Sequence, residues 1–511
     1  MNSDAAKQYF FTGLEHLESG DFANAEKFLA HTLDLAPRSI PTLSNLAIAQ
    51  YRQKKIVEAS ETAEKAIEVD PTHKDGYRML ATCQREQMKY EDALATCEKI
   101  LALDPTDAEA LCNRGSVLNR LQKYSEAIQS IDRALAIQPI FADAHLNRGN
   151  SLGNLKRYEE ALTSYENALA LKPNLSEAWL GRGNIFHDLK RYDEALAAYD
   201  KAISLKSDLE SAWLGRGRVF MAQERDDKAS SSYEIFLDLQ KRHVQDLQNR
   251  TVAKEDAGKM RIFGEIEEWQ DLDEILDALR LLAPSRAIGF DKIRLGSAAD
   301  GGYILLNDFT SIFRALSFGI SLDDSWDTVL ALKGIPVDQY DHSIEDAPTH
   351  HRLLKFSRKK ISTLVGENST TLDDLVAPLR GSGSPDLILK IDIEGDEWDV
   401  FDQVTPATLS RFSQIVGEFH QLHRVKEREF LRRTSRVFKK LSDSFSVIHV
   451  HGNNFGKVAR IAGKMFPDTL ELSFASRSRY RFESSSEQFP TILDMANNPF
   501  FSDINLGTFR F

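Results

Sequence analysis

Two stretches decide the fold of the first half of the chain: LNRGNSLGNLKRYEEALTSYENALALKP, from Leu146 to Pro173, and WLGRGNIFHDLKRYDEALAAYDKAISLK, from Trp179 to Lys206. They are copies of one pattern in which equivalent positions lie 34 residues apart. Prolines recur at that spacing, at Pro37, Pro71, Pro105, Pro139 and Pro173. Alanines do so at Ala25, Ala59, Ala93, Ala127, Ala161, Ala195 and Ala229, and small residues at Gly13, Ala47, Ala81, Gly115, Gly149, Gly183 and Gly217. A fixed period of this length is the mark of a repeat architecture.

Each repeat is predicted to be a helical hairpin. Small residues at fixed positions let two helices approach closely, and the proline ends the second helix because it has no N–H and a fixed φ. A single hairpin cannot bury its apolar face, so successive hairpins must stack. The pattern resembles the tetratricopeptide repeat family, with about seven units over residues 4–240. The resemblance implies a solenoid whose concave face binds protein or peptide.

The first helix of each hairpin supplies that concave face. Amide and guanidinium side chains repeat in register along it, at Asn113, Asn147, Arg114, Arg148 and Arg182. Such donors are suited to hold an extended peptide through its backbone or its carboxylates. The alternative is that these side chains pack between repeats or face water.

Composition excludes several classes of protein. The 511 residues carry 64 Lys plus Arg against 77 Asp plus Glu, a net charge of −13, which argues against general binding to nucleic acid or anionic membrane. No apolar run is long enough for a membrane span, and the N-terminus lacks the pattern of a secretory signal. Three cysteines are too few and too irregularly spaced for a disulfide framework or a zinc site. A reducing, cytoplasmic location is predicted.

The period changes in the second half. Residues 241–285 are predicted to be a helical cap and connector, with an amphipathic helix over 261–283. From 286 to 511, β-branched runs alternate with helical stretches, which is typical of a sheet covered on both faces. The strongest runs are 314–320, 335–340, 360–365, 387–392, 414–419, 444–450 and 469–474. The chain is therefore predicted to have two domains, an all-α solenoid followed by an α/β Rossmann-like domain.

Ligands of such a sheet bind at the carboxyl ends of the strands. The first strand ends at Gly319, where a Cβ would keep a ligand away from the backbone. Asp341 ends the second strand, 22 residues after Gly319, a spacing typical of an acid that binds ribose hydroxyls. Helix capping is the other reading of Asp341. The turn that contains Asp300, Gly301 and Tyr303 is predicted to close over the ligand, or to be a plain hairpin turn.

The ligand is predicted to be cationic. Asp323 lies with two further aspartates at the start of the first helix, where carboxylates disfavour phosphate. S-adenosylmethionine carries a sulfonium and an ammonium and no phosphate, so it fits this loop. A glycosyltransferase is disfavoured, because no site for a donor phosphate is visible.

Several segments resemble the FkbM-type S-adenosylmethionine-dependent methyltransferases, which have a class I methyltransferase fold. They are TLDDLV (371–376), LILKIDIEGDEWDV (387–400), IVGEFH (415–420), HVHGNN (449–454) and FPDTLELSF (466–474). IRLGSAADGGYILL (293–306) and SFGISLDDSWDTVLALKG (317–334) are similar to a subgroup that includes methyltransferase-like proteins of animals. The chain departs from the usual glycine-rich loop at Ser317 and Ser321. The resemblance implies methyl transfer to a hydroxyl of a sugar or other natural product.

Asp392, Glu394, Glu418 and His420 are predicted to be the catalytic residues. Asp392 and Glu394 follow a very apolar strand, where a carboxylate is costly unless it is paired or functional. Glu418 and His420 share a face of the next strand. His420 is predicted to remove the proton of the acceptor hydroxyl, because an imidazole titrates near neutral pH; the other reading is a histidine satisfied by a neighbouring carboxylate.

Two alternatives remain at this stage. The four predicted catalytic residues offer metal ligands, but they have no close spacing in the sequence, so no metal is predicted. The second hypothesis for the whole chain is a repeat scaffold with an inactive methyltransferase-like domain.

Overall fold

The computed structural model describes residues 2–252, 262–266, 272–297, 302–321, 323–379, 385–453, 458–461, 464–491, 493–494, 504, 506 and 508–509. The chain divides into two compact units, Met1–Ala212 and Trp213–Phe511. None of the described helices is both long and apolar enough to cross a membrane. The predicted boundaries at 240 and 285 stay predictions.

The first unit consists of helical hairpins. Its helices are α1 (Asn2–Glu18), α2 (Phe22–Leu35), α3 (Ile40–Arg52), α4 (Ile56–Val69), α5 (Lys74–Glu86), α6 (Tyr90–Leu103), α7 (Ala108–Arg120), α8 (Tyr124–Ile137), α9 (Ala142–Asn154), α10 (Tyr158–Leu171), α11 (Ser176–Asp188) and α12 (Tyr192–Leu205). Helix α13 (Glu210–Ala222) begins at the end of this unit, and α14 (Asp226–Val252) lies in the second.

The repeated residues have the packing and helix-ending roles that their spacing predicts. The ladder alanines of the second helices are fully buried, from Ala25 to Ala195. A Cβ on Gly149 would come within 2.6 Å of the Tyr165 ring, so only glycine allows this approach of α9 to α10. The second helices end two residues before the ladder prolines; α10, for example, ends at Leu171, before Pro173.

The second unit adds an α/β domain to the last hairpin. Its strands are β1 (Ile262–Ile266), β2 (Ser285–Ala287), β3 (Lys292–Leu295), β4 (Tyr303–Leu306), β5 (Arg314–Phe318), β6 (Val337–Tyr340), β7 (Leu354–Ser357), β8 (Lys360–Ile361), β9 (Ser369–Thr370), β10 (Leu387–Ile391), β11 (Phe412–Phe419), β12 (Phe445–Gly452), β13 (Val458–Ile461), β14 (Lys464–Pro467), β15 (Leu470–Ser476) and β16 (Phe482–Ser484). Its helices are α15 (Leu272–Arg280), α16 (Ser325–Leu332), α17 (Leu372–Val376), α18 (Glu397–Gln403), α19 (Pro406–Leu409) and α20 (Arg428–Ser444), with a 3-10 helix over Leu422–Lys426.

Seven strands form the main sheet, in the order β12-β15-β11-β10-β5-β6-β7. Strand β15 is antiparallel to both neighbours, and the other pairs are parallel. From β5 the chain proceeds outward to β6 and β7, and then returns to β10 on the other side. The switch point of this Rossmann-like domain therefore lies between β5 and β10, where such sheets bind their ligands.

The sheet is covered on both faces. On one face, Trp398, Phe401 and Phe438 of α18 and α20 pack with Leu389 of β10. On the other face, Trp326 and Leu330 of α16 pack with the β3–β4 hairpin and with Val337 of β6 and Ile388 of β10. The apolar residues of β10 alternate between the two cores, with Leu387, Leu389 and Ile391 in one and Ile388 in the other.

Two predicted elements are wrong in position. The third strand of the main sheet is Leu354–Ser357, whereas the predicted run 360–365 contributes only the short β8. Strand β1 occupies 262–266, at the start of the predicted helix 261–283, and the helix itself is Leu272–Arg280.

Candidate functional site

The ends of β5 and β10 touch each other through their backbones. Gly319 has a φ of +74°, and a Cβ there would lie 1.6 Å from the carbonyl oxygen of Asp392. The amide of Asp392 donates to the carbonyl of Phe318 over 3.1 Å, and Lys390 Nζ donates to the Gly319 carbonyl over 2.8 Å. The chain's own packing therefore requires glycine at 319, and the residues of the switch point are rigidly joined.

Asp341 organises the loop that follows Gly319. Its Oδ2 accepts the amides of Ile320 and Ser321 over 3.1 and 2.9 Å, and its Oδ1 accepts the amide and hydroxyl of Ser343 over 2.7 and 2.6 Å. Burial alone would raise the pKa of Asp341, but these hydrogen bonds hold it below its ordinary value. A carboxylate has about four acceptor positions, and protein donors occupy four here.

The other residues predicted to bind the cofactor lie on separate segments of the domain. Asp323 Oδ1 accepts the amide of Ser325 over 2.8 Å and so fixes the turn that leads into α16. Tyr303, at the start of β4, donates its hydroxyl to Asp392 Oδ2 over 3.2 Å. Asp300 and Gly301 lie outside the described residues.

The four predicted catalytic residues come together around one imidazole. His420 Nε2 lies 3.3 Å from Glu418 Oε2, 3.7 Å from Glu394 Oε2 and 3.8 Å from Asp392 Oδ1. Glu418 is buried, whereas the Glu394 side chain is 88% exposed. The juxtaposition follows from β10 and β11 being parallel neighbours that end at the same edge of the sheet.

The carboxylates around His420 shift its pKa away from the near-neutral value expected of an isolated imidazole. Burial would lower the pKa of His420, but Glu397 and Glu418 outweigh it and raise the pKa to about 11. An imidazole that already carries its proton cannot accept another. The carboxylates therefore favour the protonated imidazole, and the role of His420 as a base stays a prediction.

Glu397, on the first turn of α18, was not predicted as a site residue. It is fully buried, and its carboxylate accepts the amides of Ile393 and Gly395, each over 2.9 Å. Its Oε1 also lies 3.1 Å from His420 Nδ1. A buried carboxylate fixed by backbone amides sets the orientation of the imidazole and turns Nε2 toward Glu418 and Asp392. In the sequence, Glu397 lies among the other acids of DIEGDEW, so nothing distinguishes it there as a site residue.

A second polar group on β12 and β15 was also missed. His449 Nε2 lies 2.6 Å from Asp494 Oδ1, and His451 Nδ1 lies 3.2 Å from Glu471 Oε2; both histidines are buried. Next to them, Asn453 Nδ2 donates to Glu418 over 3.3 Å. The alternation of His449 and His451 along a strand was a signal available in the sequence.

Two buried aspartates lie at the start of α16, Asp324 just before the helix and Asp327 on its first turn. Asp327 Oδ2 accepts Gln339 Nε2 over 3.0 Å, and burial raises the pKa of Asp327 to about 6. Asp324 Oδ1 accepts the hydroxyl of Thr349 over 2.9 Å and lies 3.4 Å from Arg218 Nη2. Burial raises the pKa of Asp324, and Arg218 and Thr349 offset only part of that rise.

Arg218 shows that the last hairpin packs on the α/β domain, within the second unit. The Tyr233 hydroxyl of α14 lies 3.4 Å from Thr349 Oγ1. Asp226, at the start of α14, contacts His351 Nε2 at 3.1 Å and Arg352 Nη2 at 2.8 Å. Asp341 therefore holds the residues directly after Gly319, and Arg218 of α13 lies against Asp324 at the start of α16.

The predicted peptide-binding row of the solenoid is largely engaged within the solenoid. Arg148 donates to Asp132 Oδ1 over 2.8 Å and to the hydroxyl of Ser164 over 3.0 Å. Arg114 Nη2 lies 3.6 Å from Glu98 Oε1. The Arg182 guanidinium lies 4.9 Å from the centre of the Trp179 ring. Asn147 donates to Cys112 Sγ over 3.5 Å, and Asn113 is half-buried on α7. Binding of a peptide by these residues stays a prediction.

Comparison with known families agrees with this architecture. Residues 315–447 match the methyltransferase FkbM domain. Three tetratricopeptide repeat models match residues 16–83, 96–129 and 146–210. No curated protein matches the chain.

Solved structures similar to this chain include repeat proteins. A tetratricopeptide repeat protein from Parabacteroides merdae is 21% identical, with a TM-score of 0.41, over 46% of this chain and 93% of its own. PilF of Pseudomonas aeruginosa is 23% identical, with a TM-score of 0.34, over 38% of this chain and 88% of its own. YrrB, a repeat protein with an unusual peptide-binding site, is 21% identical, with a TM-score of 0.29, over 36% of this chain and 95% of its own.

Proposed function

We propose that this chain, which joins tetratricopeptide repeats to an FkbM methyltransferase domain, is an S-adenosylmethionine-dependent O-methyltransferase. The observation that supports the proposal is the group of carboxylates beside the switch point, where Asp392, Glu394 and Glu418 lie within 3.8 Å of His420 Nε2. The acceptor is proposed to be a hydroxyl of a sugar or other natural product, and the repeats are proposed to bind a protein or peptide partner.

The residues at the switch point fit the proposed cofactor by their chemistry. A sulfonium and an ammonium are stabilised by carboxylates, whereas the same carboxylates repel a phosphate. Gly319, Asp323, Asp341 and Tyr303 are the residues proposed to hold it, together with Asp300 and Gly301. Asp341 binds a ribose hydroxyl only if it gives up a hydrogen bond from Ser343, because its four acceptor positions are filled.

S-adenosylmethionine, when bound, supplies a methyl group activated by its sulfonium. The acceptor hydroxyl loses its proton as its oxygen takes that methyl group, and a carboxylate oxygen of Asp392 or Glu418 is proposed to receive the proton. Tyr303 and Asn453 hold these two carboxylates in place through their hydrogen bonds. General-base help of this kind is worth roughly 10²–10⁴ in rate.

An inactive domain is the second candidate function, and one observation favours it. Asp341 is fully occupied by Ile320, Ser321 and Ser343, as in a loop that serves structure alone. In that case the chain is a repeat scaffold whose α/β domain binds no cofactor.

Calorimetry of the full chain with S-adenosylmethionine separates the two candidates. We expect saturable heat with one site per chain, and weaker binding after Asp341→Asn. The control is Asp443→Asn, an exposed acid of α20 that should leave binding unchanged. No detectable heat at millimolar cofactor would overturn the proposed enzyme and favour the scaffold.

The partner site of the repeats is tested by affinity capture. We expect the pair Asn113→Ala with Asn147→Ala to lose a protein that the unaltered chain retains. The control pair is Asn24→Ala with Asp21→Ala, which lies at the start of α2 and outside the predicted row. Retention of every partner by the Asn113/Asn147 variant removes these residues from the binding surface.

A further inference from the structure

Three side chains at the ends of β10 and β11 present ligand atoms to a common point. One oxygen of Asp392, one oxygen of Glu418 and Nε2 of His420 all lie within 4.8 Å of one another. Nε2 is 3.3 Å from the Glu418 oxygen and 3.8 Å from the Asp392 oxygen. Ligands at right angles around a cation with bonds of about 2.1 Å lie roughly 3 Å apart. The observed separations need only a small contraction to reach that arrangement.

Each of the three side chains is oriented by a residue outside the group. Glu397 faces His420 Nδ1 at 3.1 Å, so the imidazole can donate there and leave Nε2 for the common point. Tyr303 donates to Asp392 and Asn453 donates to Glu418. Histidine ligands of metals are held in this way, by a carboxylate that fixes the tautomer and the ring plane.

The carboxylates of the region outnumber the one imidazole that faces them, so a divalent cation in place of the Nε2 proton of His420 balances more of their charge. Four carboxylates, those of Asp392, Glu394, Glu397 and Glu418, lie within 3.8 Å of one imidazole. Glu397 and Glu418 are buried, and buried charges are costly unless they are paired or coordinate metal. Lys390 Nζ, on β10, donates to the Gly319 carbonyl and lies over the Tyr303 ring.

We propose that Asp392, Glu418 and His420 bind a divalent cation. Two carboxylates with one imidazole suit Mn²⁺ and related octahedral cations, with the other positions open to water or to an oxygen of a bound molecule. This rests on the proposed function in one respect: the open positions would take the hydroxyl that accepts the methyl group. A cation there polarises that hydroxyl and favours loss of its proton to the second oxygen of Asp392 or Glu418, the one not bound to the cation. Acceptors with oxygens on adjacent carbons, as in sugars, can occupy two open positions.

The test uses Mn²⁺ alone and the full chain. Titration followed by the electron paramagnetic resonance of free Mn²⁺ should give one site per chain at micromolar concentration. Electron spin echo of bound Mn²⁺ should show coupling to a nitrogen. We expect His420→Gln to remove this coupling and to weaken binding at least 10-fold. The matched control is His423→Gln, because His423 lies three residues further along and pairs with Asp468 instead.

A second variant keeps the ligands and changes only their support. Glu397→Gln should weaken Mn²⁺ binding about 10- to 100-fold while the nitrogen coupling remains. The metal proposal is overturned if the unaltered chain shows no nitrogen coupling, if His420→Gln binds as tightly as the unaltered chain, or if saturation needs millimolar Mn²⁺. Calorimetry with S-adenosylmethionine in the presence of a chelator keeps the two proposals apart. Cofactor heat without Mn²⁺ binding defeats the metal site alone, and Mn²⁺ binding without cofactor heat supports the metal site and defeats the enzyme.

Discussion

At the scale of single residues, Gly319 is the most constrained position of the candidate site. Its φ of +74° is unfavourable for alanine by about 1 kcal/mol, and its Cβ would overlap the Asp392 carbonyl. We expect Gly319→Ala to separate the ends of β5 and β10. The thermal unfolding temperature of the second unit and the binding of S-adenosylmethionine should both fall sharply.

Gly334 supplies the matched control for that substitution. It follows α16 with a φ of +82°, and nothing lies within 4 Å of the position a Cβ would take. Gly334→Ala should therefore cost only the backbone penalty of about 1 kcal/mol. Equal effects of the two substitutions would show that the contact with Asp392 contributes nothing.

Asp327 gives a prediction for pH. Its pKa is raised to about 6 by burial, so the folded state holds the proton more tightly than the unfolded state, in which the carboxyl has its ordinary pKa. Stability therefore falls as pH rises from about 4 to about 6 and stays lower above. The full difference is roughly 3 kcal/mol. Asp327→Asn should remove this loss, because an amide still accepts from Gln339 and has no charge to bury.

Thermal unfolding at pH 4.5 and pH 7 measures the effect. The gain in stability of Asp327→Asn over the unaltered chain should be small at the lower pH and larger at the higher. A gain that is equal at both values would show that the carboxyl does not titrate between them.

At the scale of helices and strands, the sequence predicts best where a pattern repeats. The 34-residue period predicts the position of every hairpin, because the proline and the small residues have the same steric role in each copy. The strands β5, β6, β10, β11, β12 and β15 are buried along nearly their whole length and were predicted. Strand β7 was missed because it lies at the edge of the sheet and is only partly buried. The apolar run 360–365 was predicted as that strand instead, but its Leu364 and Val365 are largely exposed.

The packing of α13 and α14 on α16 had no signal in the sequence. Arg218 occupies an ordinary position of a repeat helix, and its partner Asp324 is more than 100 residues away. Asp324 is fully buried, so removal of Arg218 leaves a carboxylate without its cation. We expect Arg218→Met to destabilise the second unit by about 2–4 kcal/mol, as measured by urea or thermal unfolding.

A double-mutant cycle tests whether that effect comes from the pair. Asp324→Asn should recover most of the loss in the Arg218→Met background, since the buried charge is then absent. Arg225→Met is the control, because Arg225 is exposed and contacts Gln223 and Phe220 in its own hairpin. A coupling energy near zero would contradict the pairing.

At the scale of the whole molecule, the candidate site is assembled from segments that are distant in sequence. The sequence alone predicted that Glu418 and His420 share a face of one strand, because side chains alternate along a strand. It also predicted the apolar strand that ends at Asp392. Glu397, Asn453 and Tyr303 were not predicted as supports of the cluster, because their contacts depend on the order of strands and on a helix start. The pKa of His420 could not be predicted from the sequence either. Glu397 and Glu418 raise it, and they approach the imidazole only in the folded chain.

The limits of the catalytic unit can be tested with fragments. A fragment from 286 to 511 follows the predicted domain boundary but lacks α15, whose Ile275 and Leu279 are buried in the core with Leu282. Burial of three such side chains is worth roughly 5–9 kcal/mol, which is comparable to the stability of a whole domain. It also lacks Tyr233 and Arg218, which cover Thr349 and Asp324. We expect this fragment to aggregate or to unfold at a much lower temperature than a fragment that starts at Glu210.

A third fragment, from 262 to 511, separates the two contributions, because it restores α15 and still lacks the last hairpin. Its unfolding temperature should lie between those of the other two. If the fragment from 286 unfolds within about 2 °C of the fragment from Glu210, neither α15 nor the hairpin stabilises the α/β domain. If only the fragment from Glu210 also binds S-adenosylmethionine, helices α13 and α14 belong to the unit that binds the cofactor.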